Sequence, residues 1–278
     1  MTAVPKALSP DTPPLRITAI GTCRIAHPLA RGQKEDRYFL ENGRVYGFVH
    51  CTKDIIQQIR FIQGELDIPE HLQPFIFNEG RRASSSLPPP TTDLYLVEVS
   101  SLKEVFFDGY YLQYNHLTSH FADRPEVLRA FLRNGPPTKQ ADRAKELEAI
   151  PSFRDCSALE REILLNATVA IQDFDGLVAD LRRIFTMLRQ PVVIVSHCDV
   201  TVAGKTINGR RRLIEYLRKA APLLRFELFE PTPLIGRLGQ EFAMANGGAD
   251  STHYSSEFEA ILGDELYDRY IAPRRLAA

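Results

Sequence analysis

Apolar positions cluster into short runs separated by polar segments. Ile17 to Arg24 (ITAIGTCR) begins as a buried strand and runs into Gly21-Thr22-Cys23. Val45 to Val49, Leu94 to Val99 and Pro191 to Ser196 have the same continuous apolar character, as expected of strands covered on both faces, and Arg225 to Phe229 is a fifth candidate. Helical periodicity fills the intervals. Thr52 to Gly64 opens on an N-cap residue and closes on glycine, and Asn208 to Ala221 continues from Asn-Gly into an amphipathic run. Strands alternating with helices predict an α/β fold with a mostly parallel sheet and helices on both faces.

Two segments depart from that alternation. Asn78 to Thr92, with Arg81, Arg82, three serines and Pro88-Pro89-Pro90, reads as an exposed loop and a candidate cover for a site. The interval from Leu102 to Gln190 is too long for one crossover and carries helical pattern over Arg124 to Arg133, Lys139 to Ile150 and Ser157 to Leu188, with a capping box at Ser157 to Glu160. The expected organisation is a flexible leader, 1–14, and a single α/β domain, 15–278, with a helical insertion at about 102–190. The chain contains no internal repeat.

Composition narrows the partners. The 278 residues carry 34 basic and 35 acidic side chains, a formal charge of −1, so nothing favours nucleic acid or an anionic membrane as partner. No apolar stretch is long enough to span a bilayer, and Pro5, Pro10, Pro13 and Pro14 interrupt the region where a signal peptide needs an apolar run. A cytoplasmic location is the default expectation. Cys23, Cys51, Cys156 and Cys198 include no C-x-x-C spacing and do not make a disulfide framework, so thiols are expected.

The candidate chemistry lies at the two ends of the chain. Cys23 follows the first strand, where open α/β sheets place their ligands, and a helix starting there would aim backbone N–H groups at an oxyanion while Arg24 adds positive charge. Taken alone, Cys23 is equally compatible with a small buried cysteine at a strand end. The second segment, Asp250-Ser251-Thr252-His253-Tyr254, precedes an amphipathic helix, Ser255 to Ile271. An Asp three residues ahead of a His can accept the imidazole Nδ1–H and leave Nε2 open, or else the segment is a helix cap with an incidental histidine. Together Cys23, His253 and Asp250 supply a nucleophile, a base and an orienting group for covalent acyl transfer.

These two blocks resemble those of the SGNH or GDSL-type esterases and acyltransferases, which carry Gly-x-Ser after the first strand and Asp-x-x-His near the carboxyl terminus. Gly21-Thr22-Cys23 and Asp250 to His253 occupy the corresponding places, and the cysteine is similar to the GSCFA-type and capsule-biosynthesis acyltransferase branches. The resemblance implies a flavodoxin-like three-layer fold with Cys23 as nucleophile, His253 as base and Asp250 as its orienter. Where the superfamily has Gly-x-Asn-Asp after the third strand, this chain has Ser100-Ser101-Leu102-Lys103. Candidate oxyanion or substrate-binding groups are therefore Gly21, the Cys23 N–H, Arg24, Gly47, Ser100, Ser101 and Asn115.

His50 and His197 each follow a strand-like run and are candidates for substrate binding or proton transfer. An alternative gathers Cys23, His50, Cys51, His197, Cys198 and Asp199 around a metal ion. A third reading is a catalytically silent binding module on the same fold. The aromatic stretch Tyr110 to His116 is a candidate pocket wall, and Arg81, Arg82 and Arg210 to Arg212 are candidate phosphate contacts, with core packing and solvated charge as the plainer alternatives. The expected partners are a small-molecule acyl donor and acceptor. No cofactor is required, and a coenzyme A thioester is a candidate donor.

Overall fold

A computed structural model describes residues 13–41, 44–78 and 91–277 of the chain. Most of the expected leader and of the Asn78–Thr92 loop, including Arg81 and Arg82, lies outside the described residues. The chain divides into two compact units, the first comprising Met1–Gly43, Pro88–Ser100 and Phe185–Ala278, the second Arg44–Leu87 and Ser101–Ile184.

The first unit is built on five parallel strands: β1 (Arg16–Ile20), β2 (Phe39–Leu40), β3 (Leu94–Val99), β4 (Val192–Ser196) and β5 (Glu227–Phe229). Their spatial order is β2-β1-β3-β4-β5, the flavodoxin-like doubly wound order. The order reverses between β1 and β3, whose registers pair Ile17 with Leu94 and Ile20 with Val97. Ligands of such sheets bind beyond the strand ends at this reversal.

Continuous apolar runs form strands here because both faces are covered. Ile17, Ala19, Leu94, Leu96, Val193 and Val195 belong to one core cluster. The alternate residues Ile20, Val97 and Ile194 face the other way and are also fully buried. Helix α1 (Cys23–Lys34) follows β1, and helix α4 (Ser256–Leu266) packs against it; Ile25, Leu29, Phe258, Leu262 and Leu266 fill that side. Helix α3 (Asn208–Leu224) packs beside β4 and β5 with Leu213, Ile214, Leu217 and Ala220 buried. The result is the expected three-layer α/β architecture.

Helices α1 and α4 run side by side in the same sense, since Arg24 meets Thr252 just ahead of α4, His27 meets Glu259 and Pro28 meets Gly263 further along. A Cβ on Gly263 would lie 2.8 Å from the Pro28 carbonyl oxygen, so only glycine permits this approach. The amino termini of α1 and α4 therefore share one rim of the unit.

The second unit contains helix α2 (Thr52–Ile62), further helices at Pro125–Arg133, Gln140–Glu148 and Ala158–Asn166, and a three-stranded antiparallel sheet of Lys103–Phe107, Tyr110–Tyr111 and Thr168–Ile171. That sheet corrects the helical reading of Ser157 to Leu188. The expected capping box forms, with Glu160 N donating to Ser157 Oγ and Ser157 N to Glu160 Oε2, but the helix stops at Asn166. Thr168 to Ile171 then pairs with Lys103 to Phe106, and a helix resumes at Phe174.

Val45 to Val49 is also corrected. Val45, Tyr46 and Val49 are buried as their composition demands, yet the backbone forms no strand; Tyr46 O accepts from Asn78 N and Phe48 N donates to Asn78 Oδ1. Stacking of Tyr46 on Phe77 completes this irregular core. The second strand of the parallel sheet is instead the two-residue β2, just after the charged stretch Lys34 to Arg37.

Candidate active site

Cys23 is the first residue of α1 and is half-buried. Thr22 caps the helix, its hydroxyl accepting from Arg24 N at 3.3 Å. The turn closes on a buried carboxylate: Glu98 of β3 accepts from Thr22 N at 2.8 Å, from Thr22 Oγ1 at 2.6 Å and from Arg24 Nε at 2.9 Å. Gly21 is required by this approach, because a Cβ there would lie 2.5 Å from the Glu98 Cβ.

Arg24 and Glu98 form a salt bridge with 5% and 1% of their side chains exposed. Arg24 is thus directed into the fold, and its charge is balanced by Glu98. Its Nη1 donates to Thr252 O at 3.1 Å, tying the start of α1 to the residue preceding His253. Arg210 Nη1 donates to the neighbouring carbonyl, Ser251 O, at 2.6 Å. Two arginines from distant parts of the sequence therefore grip consecutive peptides of one short loop.

Within that loop Asp250 Oδ2 lies 2.8 Å from His253 Nδ1. The second oxygen, Oδ1, accepts from the backbone N–H groups of Thr252 and His253. These bonds hold the Asp250 carboxyl down to about 2, with the His253 interaction the largest cause. The imidazole is anchored through Nδ1, so Nε2 is the nitrogen open for proton transfer. Ser255 caps α4 immediately afterwards, accepting from Phe258 N.

The thiol departs from the expectation of an activated cysteine. Burial pushes the Cys23 thiol above its ordinary value of 9.0; Arg24 and the Arg24 backbone N–H oppose this, while Glu98 and Glu259 reinforce it. The resting group is a protonated thiol, and a base has to take its proton before sulfur can attack.

Gly47, His50, Ser101 and Asn115 belong to the second unit. There His50 Nε2 is 3.1 Å from Asn115 Nδ2, Ser101 N donates to His50 O at 3.0 Å, and Gly47 lies against Asn78. The Ser101 N–H is thereby committed to a structural bond. Ser100 is buried at the end of β3, and His197 is buried with Nδ1 3.0 Å from Cys198 O. Cys51 caps α2, Cys198 is buried beside Tyr254, and Asp199 pairs with Arg211. Among the described residues no group of three or more His, Cys, Asp or Glu side chains is arranged to hold a metal ion. No helix among them is long and apolar enough to cross a membrane.

A profile of the TviD N-terminal domain matches residues 15–269. The chain belongs to this family. Over 247 residues it is 35% identical to the Vi polysaccharide biosynthesis protein TviD of Salmonella typhi, covering 87% of this chain and 30% of that protein. The chain thus spans under a third of the length of that relative. Two mutant structures of the esterase AlinE4 align over 92% of this chain and 94% of theirs, at 11% and 12% identity and a TM-score of 0.34.

In this TviD N-terminal domain, sequence reasoning missed four residues around the Cys23 turn and the His253 loop. Glu98 lies within an apolar strand, and a carboxylate in such a run is the available signal, since buried charges need partners. Arg210 reads in the sequence as a candidate phosphate contact or as solvated charge, and the carbonyl it binds lies 41 positions away. His27 and Glu259, with Nδ1 and Oε1 3.0 Å apart, stood 232 positions apart without any local motif.

Proposed function

We propose that the chain is an acyl-transfer enzyme of the acyltransferase or esterase type, working through a thioester on Cys23. His253 takes the thiol proton, and Asp250 holds the imidazole in the tautomer that leaves Nε2 basic. The sulfur attacks the acyl carbon, and the donor's leaving group departs with the proton from His253. The acyl group then passes from Cys23 to the acceptor. The N–H of Cys23, at the start of a twelve-residue helix, is the leading candidate to stabilise the oxyanion.

One observation carries this reading: the Asp250–His253 pair is formed, and Arg24 bonds the peptide beside it to the same turn that carries Cys23. The sheet supports it, because Cys23 follows β1 at the reversal of strand order. The raised thiol supports it as well, since a protonated nucleophile calls for an adjacent base. The similarity to a protein of Vi polysaccharide biosynthesis favours a saccharide hydroxyl as acceptor. A coenzyme A thioester is the proposed donor.

The test is intact-mass spectrometry after incubation with acetyl-coenzyme A. An acetyl adduct that maps to Cys23 and disappears in Cys23→Ala is expected. Activity that survives in Cys23→Ala would reject the nucleophile.

A further inference from the structure

Arg24 and Arg210 both reach the His253 loop, but among the described residues only Arg24 has a carboxylate partner. Arg210 makes one hydrogen bond among those residues, from Nη1 to Ser251 O, which leaves most of its N–H fork uncommitted. The carboxylates of this region are already spent: Glu98 on Arg24 and Thr22, Asp250 on His253 and the loop backbone, Asp199 on Arg211. Helix α3 brings none of its own, since its first turn has no acidic residue and sets arginines against the positive end of the helix. Arg210 is half-buried; burial and the like charge of Arg24 work against its charged form, and Cys198, Tyr254 and Asp199 offset this only in part. The approach is open, because a Cβ on the neighbouring Gly209 would meet no atom within 4 Å. A partly desolvated cation with uncommitted donors and no internal counter-charge is completed by an anion from outside the chain.

We propose that Arg210 is a specificity-determining residue that binds an oxyanion of the substrate beside the His253 loop, either a phosphate of the coenzyme A donor or a carboxylate of an acidic saccharide acceptor. The proposal rests on the acyl-transfer reading for the reaction that the anion serves. Nε and Nη2, the side of the fork that the Ser251 carbonyl leaves free, suit either oxyanion bidentately. One side chain then fixes both the substrate's charged group and the peptide two residues ahead of His253. A neutral substrate of the same shape leaves the guanidinium unpaired, so discrimination in favour of the charged one follows.

The experiment is calorimetric titration of the reduced wild-type protein with two pairs of ligands that differ in charge. Coenzyme A against pantetheine tests the donor, and methyl glucuronide against methyl glucoside tests the acceptor. Arg210→Gln removes the charge and keeps an N–H for Ser251 O. It is expected to weaken binding of the charged member of at least one pair about 10- to 100-fold, as for loss of a hydrogen-bonded charge, and to leave the neutral member unchanged. The pair that responds names the source of the anion. Arg210→Lys, which keeps a cation, should retain most of the preference, and added salt should erode it in wild type far more than in Arg210→Gln. Charged ligands that bind Arg210→Gln as tightly as wild type, or that bind neither protein, overturn the proposal. Misplacement of the His253 loop alone lowers turnover with every substrate and leaves these affinity ratios where they were. The Cys23 reading is judged separately by the acetyl adduct: no adduct in wild type, with the affinity ratios shifted, overturns the thioester and leaves Arg210 as the anion site.

Discussion

Arg24 Nε lies 2.9 Å from Glu98 Oε1 in a pair that is almost wholly buried, and the same guanidinium reaches Thr252 O at 3.1 Å. This arginine joins the end of β3, the start of α1 and the loop carrying His253. Its partner also accepts two bonds from Thr22, so one carboxylate fixes the turn on which Cys23 sits.

Removing one partner of such a pair leaves a buried uncompensated charge. Arg24→Ala or Glu98→Ala is expected to destabilise the protein by about 3–5 kcal/mol, read as a lower denaturation midpoint in urea. A loss below about 1 kcal/mol would show that the pair is open to solvent.

The Cys23 thiol is held above 9.0 by burial first, with Glu98 among the groups that add to the shift. Iodoacetamide labelling of Cys23 should accordingly be slow at pH 7 and climb through pH 9 without an early plateau. Glu98→Gln removes a negative charge near sulfur, so the thiol should titrate lower and label faster at pH 7. A wild-type plateau below pH 7 would contradict the assignment.

Asp250 is held at about 2 by His253 and two backbone N–H groups, below its ordinary 3.8. A depressed carboxyl adds stability that is present above pH 3.8 and lost as pH falls through about 2. The Asp250 carboxyl should therefore stay ionised to below pH 4, visible as a side-chain carboxyl carbon signal that moves only below that pH in NMR spectra. Asp250→Asn should lower kcat by on the order of 10²–10⁴-fold by favouring the wrong tautomer.

Glu104 in the second unit has the opposite behaviour. Burial raises it to about 7 from 4.5, Lys53 opposes the shift, and Oε1 is buried without a partner. A raised carboxyl adds stability that is complete below pH 4.5 and lost as pH rises through about 7. Glu104→Gln is expected to raise the thermal midpoint at pH 8 and leave it nearly unchanged at pH 4; equal effects at both would remove Glu104 as the cause.

Arg210 holds the Ser251 carbonyl and makes no ion pair among the described residues. Arg210→Ala should lower kcat by roughly 10- to 100-fold through misplacement of the His253 loop, with little change in melting temperature. Arg210→Lys should recover part of the loss. An unchanged kcat would assign the contact to packing alone.

Leu94 to Val99 was legible as a strand because an uninterrupted apolar run needs both faces covered, and the Ser157 capping box because its partners are three residues apart. The same reasoning misplaced Val45 to Val49. Burial there is satisfied by bonds to Asn78 about 30 positions away, and an apolar run carries no mark of where its backbone will pair. The helical pattern of Ser157 to Leu188 likewise gave no sign that Thr168 to Ile171 would pair with Lys103 to Phe106, since cross-strand partners lie outside any local window.

What residue order alone decided was local: the alternation of strands and helices, the cap at the start of α4, and the spacing that lets Asp250 reach His253 within a single turn of chain. Each depends on side chains a few positions apart, where geometry follows from covalent connection. What awaited the fold was the company those groups keep. Arg24 finds Glu98 across 74 positions and Thr252 across 228, and His27 finds Glu259 across 232. Such contacts arise only when β1 lies beside β3 and α1 beside α4, because the packing of whole elements, rather than any single motif, sets distances between remote residues.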